Sequence, residues 1–209
     1  MIKKAFLALA IAGAMTTAQA GVVVTEGFED VGSLTSNGWV FTNASSPAGS
    51  NANSWYQGSI GFDAQSGTEK SYIASNYNSG VEGGVVDTWL ITPEFSTLYG
   101  ATVSFWLRGG DEGYVDQIAY GFSSGSAAVT SFILGQTIVA PTGAWTQFTA
   151  SIGPSAGVAR FAIEYLGAWE AVNYVGVDSL TIDVPEPASL AILAAGLIGM
   201  SAARRRKQN

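Results

Sequence analysis

Residues Ala101–Arg108 read ATVSFWLR, which places Val103, Phe105 and Leu107 on one side of an extended chain and Thr102, Ser104, Trp106 and Arg108 on the other. A period of two is the signature of a half-buried β-strand, because successive side chains of a strand point to opposite faces. The same alternation returns with Ile118, Tyr120 and Phe122 in Gln117–Ser123, and with Phe148, Ala150 and Ile152 in Trp145–Ile152. It returns again with Phe161, Ile163 and Tyr165 in Val158–Leu166, where Glu164 faces the other way. Further strands are expected at Val22–Phe28, Trp39–Thr42, Tyr72–Ser75, Val85–Ile91, Ser131–Val139 and Tyr174–Asp183, with no helix between them. Gly, Ser, Asn and Asp clusters punctuate the runs, as at Gly109-Gly110-Asp111-Glu112-Gly113. About ten short strands with such punctuation specify an all-β chain, an antiparallel β-sandwich of the jelly-roll kind.

The two ends of the chain do not share this pattern. Residues 1–20 carry Lys3 and Lys4, an apolar stretch from Ala5 to Met15, and the small-x-small triplet Ala18-Gln19-Ala20. That order is a secretory signal peptide cut after Ala20 by signal peptidase, so the mature chain begins at Gly21; the alternative is a buried N-terminal helix. At the other end, Pro185-Glu186-Pro187 precedes a 16-residue apolar run, Ala188–Ala203, and then Arg204-Arg205-Arg206-Lys207. The run makes a helix of about 24 Å, short against a hydrocarbon core of about 30 Å. The basic cluster would stay cytoplasmic and leave the body outside. A Pro-x-Pro triplet resists helix formation and stays extended and accessible at the membrane surface.

The triplet, apolar helix and arginines at 185–209 resemble a PEP-CTERM sorting signal. The resemblance implies processing by an exosortase, a membrane transpeptidase-like enzyme of Gram-negative bacteria that make extracellular polysaccharide. It also implies release or attachment at the cell surface or in the biofilm matrix. Pro185, Glu186, Pro187 and Arg204–Arg206 are then the sorting residues, and the membrane is a partner through the C-terminal helix before processing. The alternative is an ordinary C-terminal anchor that is never cut.

Composition narrows what the body, residues 21–184, can do. The chain has no Cys and no His. Ser-His-Asp triads, thiol nucleophiles, disulfides and Cys- or His-ligated metals are therefore excluded. The body holds 3 basic residues (Lys70, Arg108, Arg160) against 15 acids, a formal charge of −12. That balance disfavours nucleic acid and favours cations.

Glu26-Gly27-Phe28-Glu29-Asp30, Gly38-Trp39, Ser54-Trp55, Asp87-Thr88-Trp89-Leu90-Ile91-Thr92-Pro93, Thr102–Trp106 and Gly176-Val177-Asp178-Ser179-Leu180-Thr181-Ile182 follow one another in an order that resembles the choice-of-anchor J domain. That domain is related to cleaved-adhesin and MAM-type jelly rolls. The resemblance implies a non-catalytic extracellular module, here carried by the PEP-CTERM tail.

Asp178 stands two and four residues before Leu180 and Ile182, so a regular strand would turn it inward with them. An unpaired inward carboxylate is costly, and a bound Ca²⁺ would relieve it. The other reading is a solvated strand end or a turn cap. Related jelly rolls place structural calcium near the first and last strands, which by matching position implies Glu29 and Asp178, with Asn53 a third candidate.

Most of the six Trp are expected in the core. Trp106 falls on the polar side of its strand, and Trp169 in the loop-like stretch 167–173. These two are the candidates for stacking on a sugar such as an exopolysaccharide. A carbohydrate-active hydrolase would have to use a pair of the scattered carboxylates. Gly80-Val81-Glu82-Gly83-Gly84 reads as a hairpin loop with no following helix to bind phosphate.

Overall fold

The computed structural model describes residues 20–49, 54–185 and 196. Residues 1–19 of the expected signal peptide (1–20), Asn53 and the sorting segment beyond Pro185 (Glu186, Pro187, Arg204–Arg206) lie outside the described residues, Gly196 excepted. Fourteen strands are present among the described residues. In chain order they are β1 (Ala20–Glu26), β2 (Val40–Asn43), β3 (Ser46–Ala48), β4 (Tyr56–Gln57), β5 (Ile73–Asn76), β6 (Gly80–Ile91) and β7 (Phe95–Ser96). Then follow β8 (Ala101–Gly109), β9 (Gln117–Ser123), β10 (Ile133–Leu134), β11 (Ile138–Val139), β12 (Thr146–Ile152), β13 (Val158–Ala168) and β14 (Tyr174–Pro185). Every pairing is antiparallel, and the strands form two sheets. One has the order β12-β8-β14-β5-β4 with β1 also on β14, and the other β10-β9-β13-β6-β2 with β3, β7 and β11 attached. This is the antiparallel β-sandwich that the alternation specifies.

The inward rows of the two sheets make the core. Val103, Phe105 and Leu107 from β8 meet Phe161, Ile163 and Tyr165 from β13, all fully buried. Phe105 stacks on Phe148 at 5.9 Å and tilts against Phe161 at 5.6 Å. Each fully buried aromatic of this kind is worth ~2 to 3 kcal/mol of apolar burial. With no disulfide available, packing of this sort holds the sandwich together.

A second, smaller aromatic cluster lies on the outer face of the six-stranded sheet. The segment between β4 and β5 folds over that face and sets Phe62 among Tyr72 (5.3 Å), Trp145 (5.2 Å) and Tyr174 (5.5 Å). The Arg108 guanidinium lies 4.5 Å from the Phe62 ring centre, and Trp145 Nε1 donates to the Asp63 carbonyl at 2.9 Å. Gly176 provides the room, since a Cβ there would stand 2.8 Å from Phe62 and 3.0 Å from Trp145 and Tyr72.

Four local expectations are corrected. The first is the face of Asp178. Ladder register places it opposite Trp106, on the outer face, while Val177 opposite Leu107 and Ile182 opposite Val103 point inward. A β-bulge intervenes between Asp178 and Thr181, with Ser179 at φ 48°, so the extra residue reverses the alternation. Second, Gly80–Gly84 belongs to β6 instead of a hairpin loop. It pairs with β3 through Ala48–Gly80 and Ser46–Val85, and the residues between bulge outward, with Gly83 at φ 76°. Third, Ser131–Val139 is two short strands, β10 and β11, separated by Gly135–Thr137. Fourth, helix is not wholly absent: three short 3-10 turns occur among the described residues, of which the longest, Val31–Asn37, buries Val31 and Leu34.

Candidate functional site

β14 is twelve residues long, which at about 3.3 Å per residue spans roughly 35 Å. Its start, Tyr174, pairs with Asn76 at the end of β5, and Val175 pairs with Gly109 at the end of β8. The connections β5–β6, β8–β9 and β13–β14 therefore meet at one pole of the sandwich. Two adjoining depressions of about 400 and 630 Å³ open there and share Tyr77, Tyr114 and Asn173 in their walls. Trp169, Glu170 and Val172 complete the first; Ile60, Asn76, Glu112 and Tyr174 are among those that line the second.

The groove is both aromatic and polar. Trp169 and Tyr77 meet edge to face at 5.4 Å, and Tyr114 is 46% exposed, its ring presented to solvent. Asn173 ties the floor together: its Nδ2 donates to Glu112 Oε2 at 3.0 Å, and its backbone N–H donates to Asp116 Oδ1 at 2.7 Å. Asp116 is buried and also accepts from Tyr165 Oη (2.7 Å) and the Tyr174 N–H (3.1 Å). Its Oδ2 has no hydrogen-bond partner among the described residues. Burial outweighs these donors and raises the Asp116 pKa. Glu170 is fixed by the Gly83 N–H on its Oε1 at 2.9 Å. One exposed ring, Tyr114, and the partly buried rings of Tyr77 and Trp169, with amides and carboxylates between them, are the equipment for holding a polyhydroxylated ring by its face and edge.

Of the two tryptophans singled out in the sequence, Trp169 lines this groove. Trp106 stands half-buried in mid-sheet, between Gln147 on β12 and Asp178 on β14. The sequence did not single out Tyr77, Tyr114, Glu112 or Asn173 for this site. Only strand order brings their three connections together.

Glu29 and Asp178 both abut the turn at residues 65–67. Asp178, with no exposed surface, accepts at Oδ2 from the N–H groups of Gln65 (2.7 Å) and Ser66 (3.1 Å), and at Oδ1 from the N–H and Oγ of Ser179. Burial still pushes its pKa up to about 6. A Cβ on Gly67 would stand 3.7 Å from Glu29 Oε1. Both Asp178 oxygens thus accept from protein donors in this arrangement. No group of three or more acids fit to hold a metal occurs among the described residues. The Asp178 carboxylate pins the segment that carries Phe62 onto the sheet.

Asp87 and Glu164 form the pair that stands out electrostatically. They lie on the outer face of the eight-stranded sheet, at diagonal positions of the β13–β6 ladder. Trp89 Nε1 donates to Asp87 at 2.6 Å. Burial, then the Asp87 charge, lifts Glu164 to about 7.

Residues 183–207 match the PEP-CTERM protein-sorting motif. The motif thus begins inside β14, whose last residue is Pro185. The chain is similar in structure to the K1 and K3 cleaved adhesin domains of Lys-gingipain from Porphyromonas gingivalis W83. Each is 20% identical, with TM-scores of 0.58 and 0.55, and 78% of this chain covers 98% and 99% of those domains. The K2 cleaved adhesin domain of the same protein gives 0.56 at 16% identity. No curated protein matches the chain. The sorting motif implies export and exosortase-mediated processing, and the likeness to the adhesin domains shows the fold. Among the described residues no helix is long and apolar enough to cross a membrane; the apolar tail lies outside them.

Proposed function

We propose that this protein is a non-catalytic, glycan-binding module of the cell surface or exopolysaccharide matrix, working as a structural or adhesive element. The observation that carries the reading is the polarity of β14. Its first residue lies in the wall of the aromatic groove and its last begins the Pro-Glu-Pro triplet of the sorting motif. An element processed at one end of a sheet and recognising its ligand at the other presents the groove outward.

Trp169 and Tyr114 are the stacking platforms in this reading, and Asn76, Asn173, Glu112 and Glu170 hydrogen-bond the sugar hydroxyls. The exosortase of a Gram-negative, polysaccharide-producing cell acts at the triplet, after signal peptidase has acted at Ala20. Retardation of the full chain in gels containing neutral or hexosamine polysaccharides tests the reading. The expected result is retardation that Trp169→Ala or Tyr114→Ala weakens and that leaves the polymer length unchanged. Shortening of the polymer would make the protein a hydrolase instead.

A further inference from the structure

The groove's walls contain Glu112 and Glu170 but no Lys or Arg. The body has 3 basic residues in all, and two are committed elsewhere. Arg108 is paired to Asp111 at 2.9 Å and lies over Phe62. Arg160 donates to the Gly125 and Thr92 carbonyls at 3.0 and 2.8 Å and approaches Glu94 at 3.4 Å. The third, Lys70, is not among the groove residues. Around the groove the body carries a formal charge of −12, a field that concentrates cations and repels polyanions.

The two carboxylates are held in place by neutral donors, not by cations. Glu112 takes its bond from the Asn173 amide on Oε2 and Glu170 from the Gly83 N–H on Oε1. Among the described residues no other hydrogen bond reaches either group, so each presents a fixed, uncompensated negative charge beside the rings of Tyr77, Tyr114 and Trp169. Carboxylates and aromatic faces are the two environments that attract an ammonium group, the first by charge-assisted hydrogen bonding and the second through the ring quadrupole.

Resting on the glycan-binding reading and narrowing it, we propose that the groove selects glycans bearing free amino groups, such as partly deacetylated hexosamine polymers, and excludes uronic-acid and sulfated ones. The sugar rings stack on Trp169 and Tyr114, and the ammonium groups sit against Glu112 and Glu170. Ionic screening weakens the second contribution and leaves the first.

The test uses the full chain in detergent with three probes of equal length: a glucosamine oligomer, an N-acetylglucosamine oligomer and an oligouronate. Calorimetry at low and high salt reads the affinities. The glucosamine oligomer is expected to bind about tenfold tighter than the acetylated one at low salt, with the advantage lost at high salt and in the Glu112→Gln/Glu170→Gln double variant. Tyr114→Ala, which changes an exposed ring and leaves the core alone, weakens both hexosamine oligomers. Equal binding of the two hexosamine oligomers overturns the selectivity and leaves the glycan reading standing. Oligouronate binding as tight as glucosamine binding overturns it as well. Glucosamine binding that survives Tyr114→Ala and Trp169→Ala unchanged is surface charge attraction and also overturns it. Binding of none of the three, nor of a neutral oligosaccharide, removes both readings.

Discussion

Asp178 and Trp106 face each other across the β14–β8 ladder, on the outside of the sheet. One bulged residue, Ser179, is responsible. Because of it, Asp178 meets the N–H groups of Gln65 and Ser66 and serves as the anchor for the segment whose Phe62 caps the outer aromatic cluster.

Removing that anchor leaves three N–H groups without an acceptor. Asp178→Ala is expected to cost about 2 to 4 kcal/mol, read from urea unfolding, while Asp178→Asn, which keeps an acceptor oxygen, costs less. Because the protein itself fills the carboxylate, the melting temperature is expected to be equal in millimolar Ca²⁺ and in EDTA. A bound ion would stabilise the folded state by mass action, so a calcium-dependent rise abolished by Glu29→Gln would place a cation at this turn.

Stability rises on mild acidification. Glu164 is raised to about 7 and Asp178 to about 6, each chiefly by burial, and Glu26, Asp87 and Asp116 move the same way. Carboxyls whose folded pKa exceeds the unfolded value bind more protons in the folded state, so stability falls as pH rises between the two values. The penalty is full above the folded pKa of about 7 and relieved as pH drops toward the ordinary carboxylate range, about 4. Melting temperature should therefore climb from pH 8 to pH 5, and Glu164→Gln should flatten the part of the profile near neutrality. A profile that falls over this range contradicts the assignment.

Gly176→Ala drives a methyl group into Phe62, Trp145 and Tyr72. The expected cost is about 1 to 3 kcal/mol, together with an altered Trp145 fluorescence. Trp169→Ala and Trp106→Ala separate the two candidate platforms: retardation by polysaccharide is weakened by the first and untouched by the second.

Much of the sandwich is legible in the sequence, because β8, β9, β12 and β13 each place one apolar row on a buried face and so show their period directly. What escapes is local and non-periodic. The bulge at Ser179 inverts Asp178 without leaving a trace in the pattern, and Gly80–Gly84 reads as a loop because its glycines serve a distortion within β6. The groove escapes for another reason. Trp169 is visible as a loop tryptophan, but Tyr77 and Tyr114 become its neighbours only through the order β8-β14-β5, which joins connections from three separate parts of the chain.

The measurement that tests the account most directly is the intact mass of the mature protein in each cell fraction. The account predicts a chain beginning at Gly21 and ending near Pro185–Pro187, recovered outside the membrane or carrying an added group, and still retarded by polysaccharide. A mass running through Asn209, found in membranes alone, would contradict it.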